Sequence, residues 1–154
     1  MNADEAVPNE LSERIIGCAM IVSNALGSGF LEKVYENALA HELRKAGLAV
    51  AQQRGIVVRY DGIIVGDYAV DLLVEESVIV ELKATKAVAE IHRAQCINYL
   101  RGTGLHLCLL LNFGNPAWRS NASSWACEAP SLSAFICVHP RPNNLCRARL
   151  QPHQ

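Results

Sequence analysis

The chain has 154 residues, of which 51% are apolar and 19% are charged, and its formal net charge is -1. This length suits one domain, and the composition excludes an intrinsically disordered chain. Because the net charge is almost zero, nucleic acid would have to be bound by a local basic patch rather than by a global field. No apolar run reaches the roughly 18 to 20 residues of a membrane helix, and the N-terminus lacks the features of a signal peptide, so we expect a cytoplasmic protein.

The six cysteines form no C-x-x-C pair. Cys18, Cys96 and Cys108 stand among apolar residues and are expected to be reduced core residues. The last three cysteines lie near His139, but their spacing matches no usual pair of zinc ligands. The sequence therefore gives little support to a zinc site.

Two helices are predicted first. Apolar residues recur at helical spacing from Leu11 to Leu26, after a polar N-terminus (residues 1–10) that we expect to be flexible. Gly27-Ser28-Gly29 interrupts the pattern, and a second helix is predicted from about Phe30 to Ala46. Gly47 is suited to the position just after a helix C-terminus.

Strand patterns follow. Ile56–Tyr60 and Ile63–Val74 flank Asp61-Gly62, a strong signal for a hairpin turn, and a polar turn at 75–77 separates Val78–Lys83. A helix is then predicted from Val88 to Leu100, before a buried strand at His106–Asn112. The resulting order, α-α-β-β-β-α-β, predicts a mixed α/β (α+β) domain over residues 11–114.

The remaining residues, 115–154, hold five of the six prolines and show no sustained period. We expect a poorly structured tail with one short apolar segment at Leu132–Val138.

Three charged residues of the strands favour a metal site. Glu81 and Lys83 are two apart on one strand and therefore project from the same face. If residues 75–77 connect the strands, Asp71 lies opposite Glu81, with the Cβ atoms roughly 5 Å apart. A divalent cation between the two carboxylates would remove their mutual repulsion. The alternative is that E-x-K is a solvent-facing pair without function.

Three segments resemble one protein family. GFLEKVYENAL contains G-x-x-E-x-x-Y (Gly29, Glu32 and Tyr35), YAVDLLVEESVIVELKA matches a Y-R-x-D-L-L-V…V-I-V-E-L-K-A segment, and HRAQCINYLRGTGLHLCLLLNFG matches H-x-x-Q-x-x-x-Y-L and the strand after it. From Leu11 to Gly114 the chain resembles the GxxExxY family, which is placed in the PD-(D/E)XK nuclease superfamily. The resemblance implies a restriction-endonuclease-like core that hydrolyses the phosphodiester bonds of DNA or RNA.

The resemblance also implies roles for individual residues. Asp71 and Glu81 would bind Mg²⁺ or Mn²⁺, Lys83 would be the active-site lysine, and Gln95 and Tyr99 would flank the site. Gln95 and Tyr99 are i, i+4 on one helix face and can equally serve to pack that helix on the sheet.

The role of Glu32 is open between a further metal ligand and a first-turn glutamate favoured by the helix dipole, with Gly29 as N-cap. Tyr35 fits the core better than catalysis. A local basic patch that contacts nucleic acid is predicted after the E-x-K strand. Its residues are Lys86, His92, Arg93, Tyr99 and Arg101, although His92 also fits an exposed histidine at a helix start.

Two departures from the family pattern favour an alternative function. Ile21-Val22-Ser23 replaces E-V-H in the first helix, and Ala69 stands where an arginine is usual. The alternative is a catalytically degenerate domain that binds nucleic acid or a protein partner. A small interaction protein in which E-x-K has no role is a third interpretation, and the oligomeric state is open.

The tail departs most. Codons can be chosen for Ala117–Trp125 so that a second reading frame, which begins at the third base, encodes a different peptide. That peptide is compatible with the family's L-E-I-K-R-I-V strand. We therefore hypothesise a frameshift near Pro116, which would remove the last edge strand. The nucleotide sequence of the gene tests this, because codons that cannot encode that strand contradict it.

Overall fold

The computed structural model describes residues 3–114, 133–138 and 149–150. The elements are α1 (Ala3–Leu26), α2 (Glu32–Lys45), β1 (Val50–Tyr60), β2 (Ile63–Val74), β3 (Val78–Lys83), α3 (Glu90–Thr103), β4 (Leu107–Asn112), β5 (Ser133–Val138) and β6 (Arg149–Leu150). The predicted order α-α-β-β-β-α-β is confirmed up to β4, as is the mixed α+β class. No helix in the described part of the chain is long and apolar enough to cross a membrane.

The strands form one mixed sheet in the order β5-β4-β3-β2-β1-β6. β1, β2 and β3 pair antiparallel, β3 pairs parallel with β4 through the α3 crossover, and β5 pairs antiparallel with β4. Asp61 (φ 51°) and Gly62 (φ 76°) both adopt left-handed conformations. This is the geometry of a two-residue type I′ hairpin turn, as the Asp-Gly signal predicts.

Several boundaries differ from the prediction. α1 begins at Ala3 rather than Leu11. β1 begins at Val50 rather than Ile56, because its polar first half pairs with the buried end of β2. The apolar segment predicted at Leu132–Val138 contains β5. Apart from β5 and β6, the tail after Gly114, including the proposed frameshift start, lies outside the described residues.

Helices cover the two faces of the sheet unequally. α1 and α2 pack on one face, which we call the closed face, over a cluster that includes Val80, Leu82 and Leu109. Among the described helices, α3 is the one that packs on the other face, over a smaller cluster that includes Ile79 and Leu110. We call this second face the open face. Since side chains of β3 alternate, Glu81 and Lys83 belong to the open face and Val80 and Leu82 to the closed face, as predicted.

Tyr35 is a core residue, in agreement with its sequence interpretation. It is fully buried, and its ring stacks on Phe113 with the centroids 4.7 Å apart. Its hydroxyl donates a hydrogen bond to the Gly27 carbonyl (2.6 Å) and accepts one from the Phe30 N–H (3.3 Å). Tyr35 therefore fixes the connection between α1 and α2 to the closed face.

Candidate active site

The candidate site lies where β2 and β3 separate. Backbone pairing runs from Val74–Val78 to Leu72–Val80 and then gives way to side-chain hydrogen bonds. In the next row, the Asp71 N–H donates to Glu81 Oε1 (3.1 Å), and the Leu82 N–H donates to Asp71 Oδ2 (2.9 Å). The predicted position of Asp71 opposite Glu81 is thus confirmed, and each carboxylate is inserted between the two strands.

An irregularity in β2 creates this opening. Val70 and Leu73 both lie in the cluster under α3, although they are an odd number of residues apart. In a regular strand they would face opposite sides of the sheet. The alternation of side chains along β2 is therefore interrupted around Asp71. As a result, its carboxylate points towards β3, across the space where the two strands separate.

A second backbone irregularity lies in β1, at the residue beside Asp71. Gln53 has a φ of 52°, which is rare for a residue other than glycine. Because Gln52 pairs with Leu72 and Arg54 with Val70, Gln53 stands beside Asp71. Its amide Nε2 donates to Asp71 Oδ1 (3.3 Å) and to Glu36 Oε2 (2.9 Å). Gln53 thus connects the pair to an acid on α2.

Glu36 is an acid that the sequence interpretation missed. It is 4% exposed, and Lys33 Nζ lies 2.8 Å from its Oε1. The signal available in the sequence was its position beside Tyr35 in the apolar stripe of the helix, where a carboxylate is unusual.

Glu32, the acid predicted instead, is exposed in the first turn of α2. The described contacts do not link it to Asp71 or Glu81. The N-cap of α2 is Leu31, so the predicted cap at Gly29 is wrong. The left-handed Gly29 (φ 112°) precedes the helix start instead.

Burial controls the electrostatics of the carboxylate pair. Glu81 is 3% exposed, and burial together with the charge of Asp71 raises its pKa to about 8. Burial also raises the pKa of Asp71, although the hydrogen bond from the Leu82 N–H opposes the shift. Lys83, half-buried, lowers the pKa of both acids through its charge, but no ion pair joins it to either one in the described part of the chain. The pair therefore lacks a full counter-charge.

The donor atoms fit a hard divalent cation. Carboxylate oxygens are the preferred ligands of Mg²⁺, which keeps several waters and often uses only one or two protein carboxylates. Asp71 and Glu81 provide such a pair. No cluster of three or more His, Cys, Asp or Glu residues with metal-site geometry occurs among the described residues. Glu36 is thus linked to the pair through Gln53 rather than grouped with it as a third ligand.

α3 forms the wall of the site on the open face. Gln95 Nε2 donates a hydrogen bond to the Tyr99 hydroxyl (2.7 Å). Tyr99 is 7% exposed, and burial together with the charge of Glu81 raises its pKa to about 12. The structure thus brings the predicted Gln95–Tyr99 pair next to Glu81 and at the same time gives Tyr99 a packing role, so the two interpretations are compatible.

The residues predicted to form the basic patch, which include Tyr99, divide into two groups. His92, Tyr99 and Arg101 line a cavity of about 680 Å³ between α3 and the β1–β2 hairpin. Lys86 and Arg93 are exposed but do not line it, and Arg93 pairs with Glu90 (3.4 Å).

His92 also has a local role, because its Nδ1 accepts a hydrogen bond from the Ala89 N–H (3.1 Å) at the start of α3. It is partly buried rather than exposed.

A clamp that sequence reasoning missed holds the chain just after Lys83. The Asn112 amide donates to the Thr85 carbonyl (2.9 Å) and accepts from the Thr85 N–H (3.1 Å). A Cβ on Gly114 would lie only 2.2 Å from the Thr85 nitrogen, so this close approach requires glycine. The signal for the clamp was a polar residue that ends an apolar strand and is followed by Phe113-Gly114.

An aspartate on one strand that faces Glu-x-Lys on the next, between helices on both faces, defines a nuclease-like α+β core. A family model described as the PD-(D/E)XK nuclease superfamily matches residues 9–123, which is most of the chain. The chain belongs to the PD-(D/E)XK nuclease superfamily. No curated protein and no solved structure gives a match.

Proposed function

We propose that the protein is a nuclease that hydrolyses phosphodiester bonds of DNA or RNA with Mg²⁺ or Mn²⁺. The observation that carries the proposal is the buried Asp71–Glu81 pair, which lacks a full counter-charge and has Lys83 on the face of Glu81. Family membership makes a nuclease-like activity the expected one.

Each residue has a distinct proposed role. Asp71 and Glu81 hold the ion, which when bound polarises the phosphodiester and lowers the pKa of the attacking water. Lys83 orients that water or stabilises charge that develops on the phosphate. Gln95 and Tyr99 position the pair from α3. Glu32 stays a predicted ligand, and Glu36 is the acid of α2 that is linked to the site through Gln53.

We further propose that the chain is of the GxxExxY type. Two observations support a structural use of the motif. Gly29 adopts a conformation that disfavours other residues, and Tyr35 ties the same connection to the core. The proposed motif thus positions α2, and with it Glu36, next to the carboxylate pair.

A second candidate is a degenerate domain that binds nucleic acid or a protein partner without cleavage. The observation in its favour is that both carboxylates already accept main-chain N–H groups across the strands. The pair can therefore serve as a structural link. Ser23 and Ala69, which replace a histidine and an arginine of the family pattern, also favour this candidate.

The test is cleavage of labelled single- and double-stranded DNA and RNA with Mg²⁺ or Mn²⁺. The proposal expects metal-dependent cleavage that Glu81→Ala and Lys83→Ala abolish. Lys45→Ala, at an exposed lysine at the end of α2, is the matched control and should cleave normally. A folded sample that does not cleave, or cleavage equal in all variants, would overturn the proposal; in the first case the degenerate domain becomes the better account.

A further inference from the structure

The cavity between α3 and the β1–β2 hairpin has the composition of a nucleotide site. Its volume of about 680 Å³ is within the usual range for ligand sites. Apolar side chains of both strands and of α3 form its walls, including Ile56, Val58 and Ile91. Arg59, His92 and Arg101 also line it, and no aspartate or glutamate of the described residues does. A ligand that combines a flat apolar body with negative charge fits this lining.

Tyr68 supplies an aromatic surface in the cavity. It is 52% exposed, and its ring centroid lies 6.2 Å from that of Tyr99. The ring lies over Gly66, where an added Cβ would approach Tyr68 Cε2 to 2.6 Å. Gly66 therefore lets the ring lie close to the sheet with one side open. An aromatic ring of this kind stacks on a nucleobase regardless of its sequence.

Polar groups of α3 can read the edge of a base. Asn98 and Gln95 line the cavity, and no hydrogen bond joins the Asn98 amide to another described residue. Side-chain amides pair with the donors and acceptors of nucleobases. An unpaired base stacked on Tyr68 also exposes its Watson–Crick edge to these amides, and base pairing in a duplex hides that edge.

The cavity also adjoins the carboxylate pair. Tyr99 lines the cavity and packs in the buried cluster that contains Ile79, the residue two before Glu81 on the same face of β3. A nucleotide in the cavity would thus place its neighbouring phosphodiester on the side of Asp71 and Glu81.

We propose that this cavity binds an unpaired nucleobase of single-stranded nucleic acid, stacked on Tyr68, with the backbone contacted by Arg59 and Arg101. The position of the scissile bond rests on the proposed nuclease function, but the binding itself does not. The protein should therefore select single strands, or single-stranded ends of a duplex, as its substrate class.

The experiment is fluorescence anisotropy of the full chain in EDTA, which prevents metal-dependent cleavage. The probes are a labelled single-stranded DNA, the same sequence as RNA, and a blunt DNA duplex of equal length. We expect at least one single strand to bind tenfold or more tightly than the duplex. Tyr68→Ala should weaken single-strand binding roughly 5- to 150-fold, the range for loss of one stacked base.

Three variants sharpen the test. Tyr60→Ala removes a more exposed tyrosine of the same hairpin (75% against 52%) that does not line the cavity, and should bind normally. Tyr68→Phe keeps the ring and should also bind normally. Gly66→Ala should displace the ring and weaken binding, while the thermal melt shows that the protein is folded.

Equal affinity for single strand and duplex, or equal effects of Tyr60→Ala and Tyr68→Ala, would overturn the inference. So would normal binding by Tyr68→Ala together with loss of a dimer in light scattering, because the surface would then join two copies of the chain. The two proposals fail separately. If Tyr68→Ala weakens binding but the wild-type chain cleaves nothing, the binding inference stands and the nuclease proposal fails. If Tyr68→Ala binds and cleaves normally, the nuclease proposal stands and the binding inference fails.

Discussion

The closed and open faces of the sheet differ in how completely helices cover them. On the closed face, α1 and α2 cover a large buried cluster around Tyr35 and Phe113. On the open face, among the described helices, α3 leaves the β1–β2 hairpin partly uncovered, with Tyr68 exposed beside it. The carboxylate pair lies in the sheet between these faces, with α2 on one side and α3 on the other. We therefore expect the closed face to contribute more to stability and the open face to be more accessible to a ligand.

The largest expected effect comes from truncation of the closed face. Leu109→Ala leaves a cavity in a fully buried cluster and should lower the free energy of unfolding by about 2 to 5 kcal/mol. Ile64→Ala, at a side chain of the hairpin that is 51% exposed, should change it by about 0.5 kcal/mol or less. Urea denaturation measures both. Similar losses at the two positions would contradict the proposed difference between the faces.

The next largest loss of stability is expected at the contact between Gly114 and Thr85, in the clamp that follows Lys83. Gly114→Ala forces a Cβ against the backbone of Thr85, which overpacks the site and should cost about 1 to 3 kcal/mol. Because the clamped segment directly follows Lys83, the variant should also lose metal-dependent cleavage while it remains folded. Gly17→Ala, where an added Cβ meets no atom within 4 Å, is the control. Unchanged melting and cleavage by Gly114→Ala would show that the close approach is unimportant.

Stability of the metal-free protein should depend on pH through Glu81. The folded protein raises the pKa of Glu81 from 4.5 to about 8, so the folded state holds this proton more tightly than the unfolded state. The contribution is complete below about pH 4.5 and is lost as pH rises to about 8, with a slope of at most about 1.4 kcal/mol per pH unit. Denaturation in EDTA from pH 5 to 8 measures it. Glu81→Gln should flatten the slope, and an equal slope in that variant would place the titration elsewhere.

The smallest effect concerns a hydroxyl of the closed face. Tyr35→Phe keeps the stacked ring but leaves the Gly27 carbonyl without its 2.6 Å hydrogen bond, at a cost of about 1 kcal/mol. Tyr60→Phe, at an exposed side chain, should cost nothing measurable. Thermal unfolding compares the two. A loss at Tyr60 that matches the loss at Tyr35 would argue against a special role for the buried hydroxyl.

The parts of the site that depend on strand geometry are predictable from the sequence. The bounds of β2 and β3 and the turn between them determine the register, and the register puts Asp71 opposite Glu81. The i, i+4 spacing likewise brings Gln95 and Tyr99 together on α3. In the first case the short turn fixes which residues of the two strands face each other, and in the second the helical period does, so local patterns are sufficient.

The parts that depend on irregular or distant contacts are not predictable in this way. The positive φ of Gln53 breaks the strand period, and its contact with Glu36 depends on how α2 packs against β1. Asn112 reaches Thr85 only because the crossover makes β3 and β4 neighbours. The cavity beside Tyr68 lies between the β1–β2 hairpin and α3, which come together only in the folded chain. None of these features has a periodic signal.

The most direct test of the central claim is calorimetric titration of the protein with Mn²⁺ at pH 8, beside Asp71→Asn and Glu81→Gln. These two variants keep the size of each side chain but remove its negative charge. The account predicts that the wild-type chain binds the ion, that both variants lose this binding, and that Glu75→Gln, at an exposed glutamate of the β2–β3 turn, retains it. Binding that is unchanged in Asp71→Asn and Glu81→Gln, or absent from the wild-type chain, would contradict a metal site between β2 and β3.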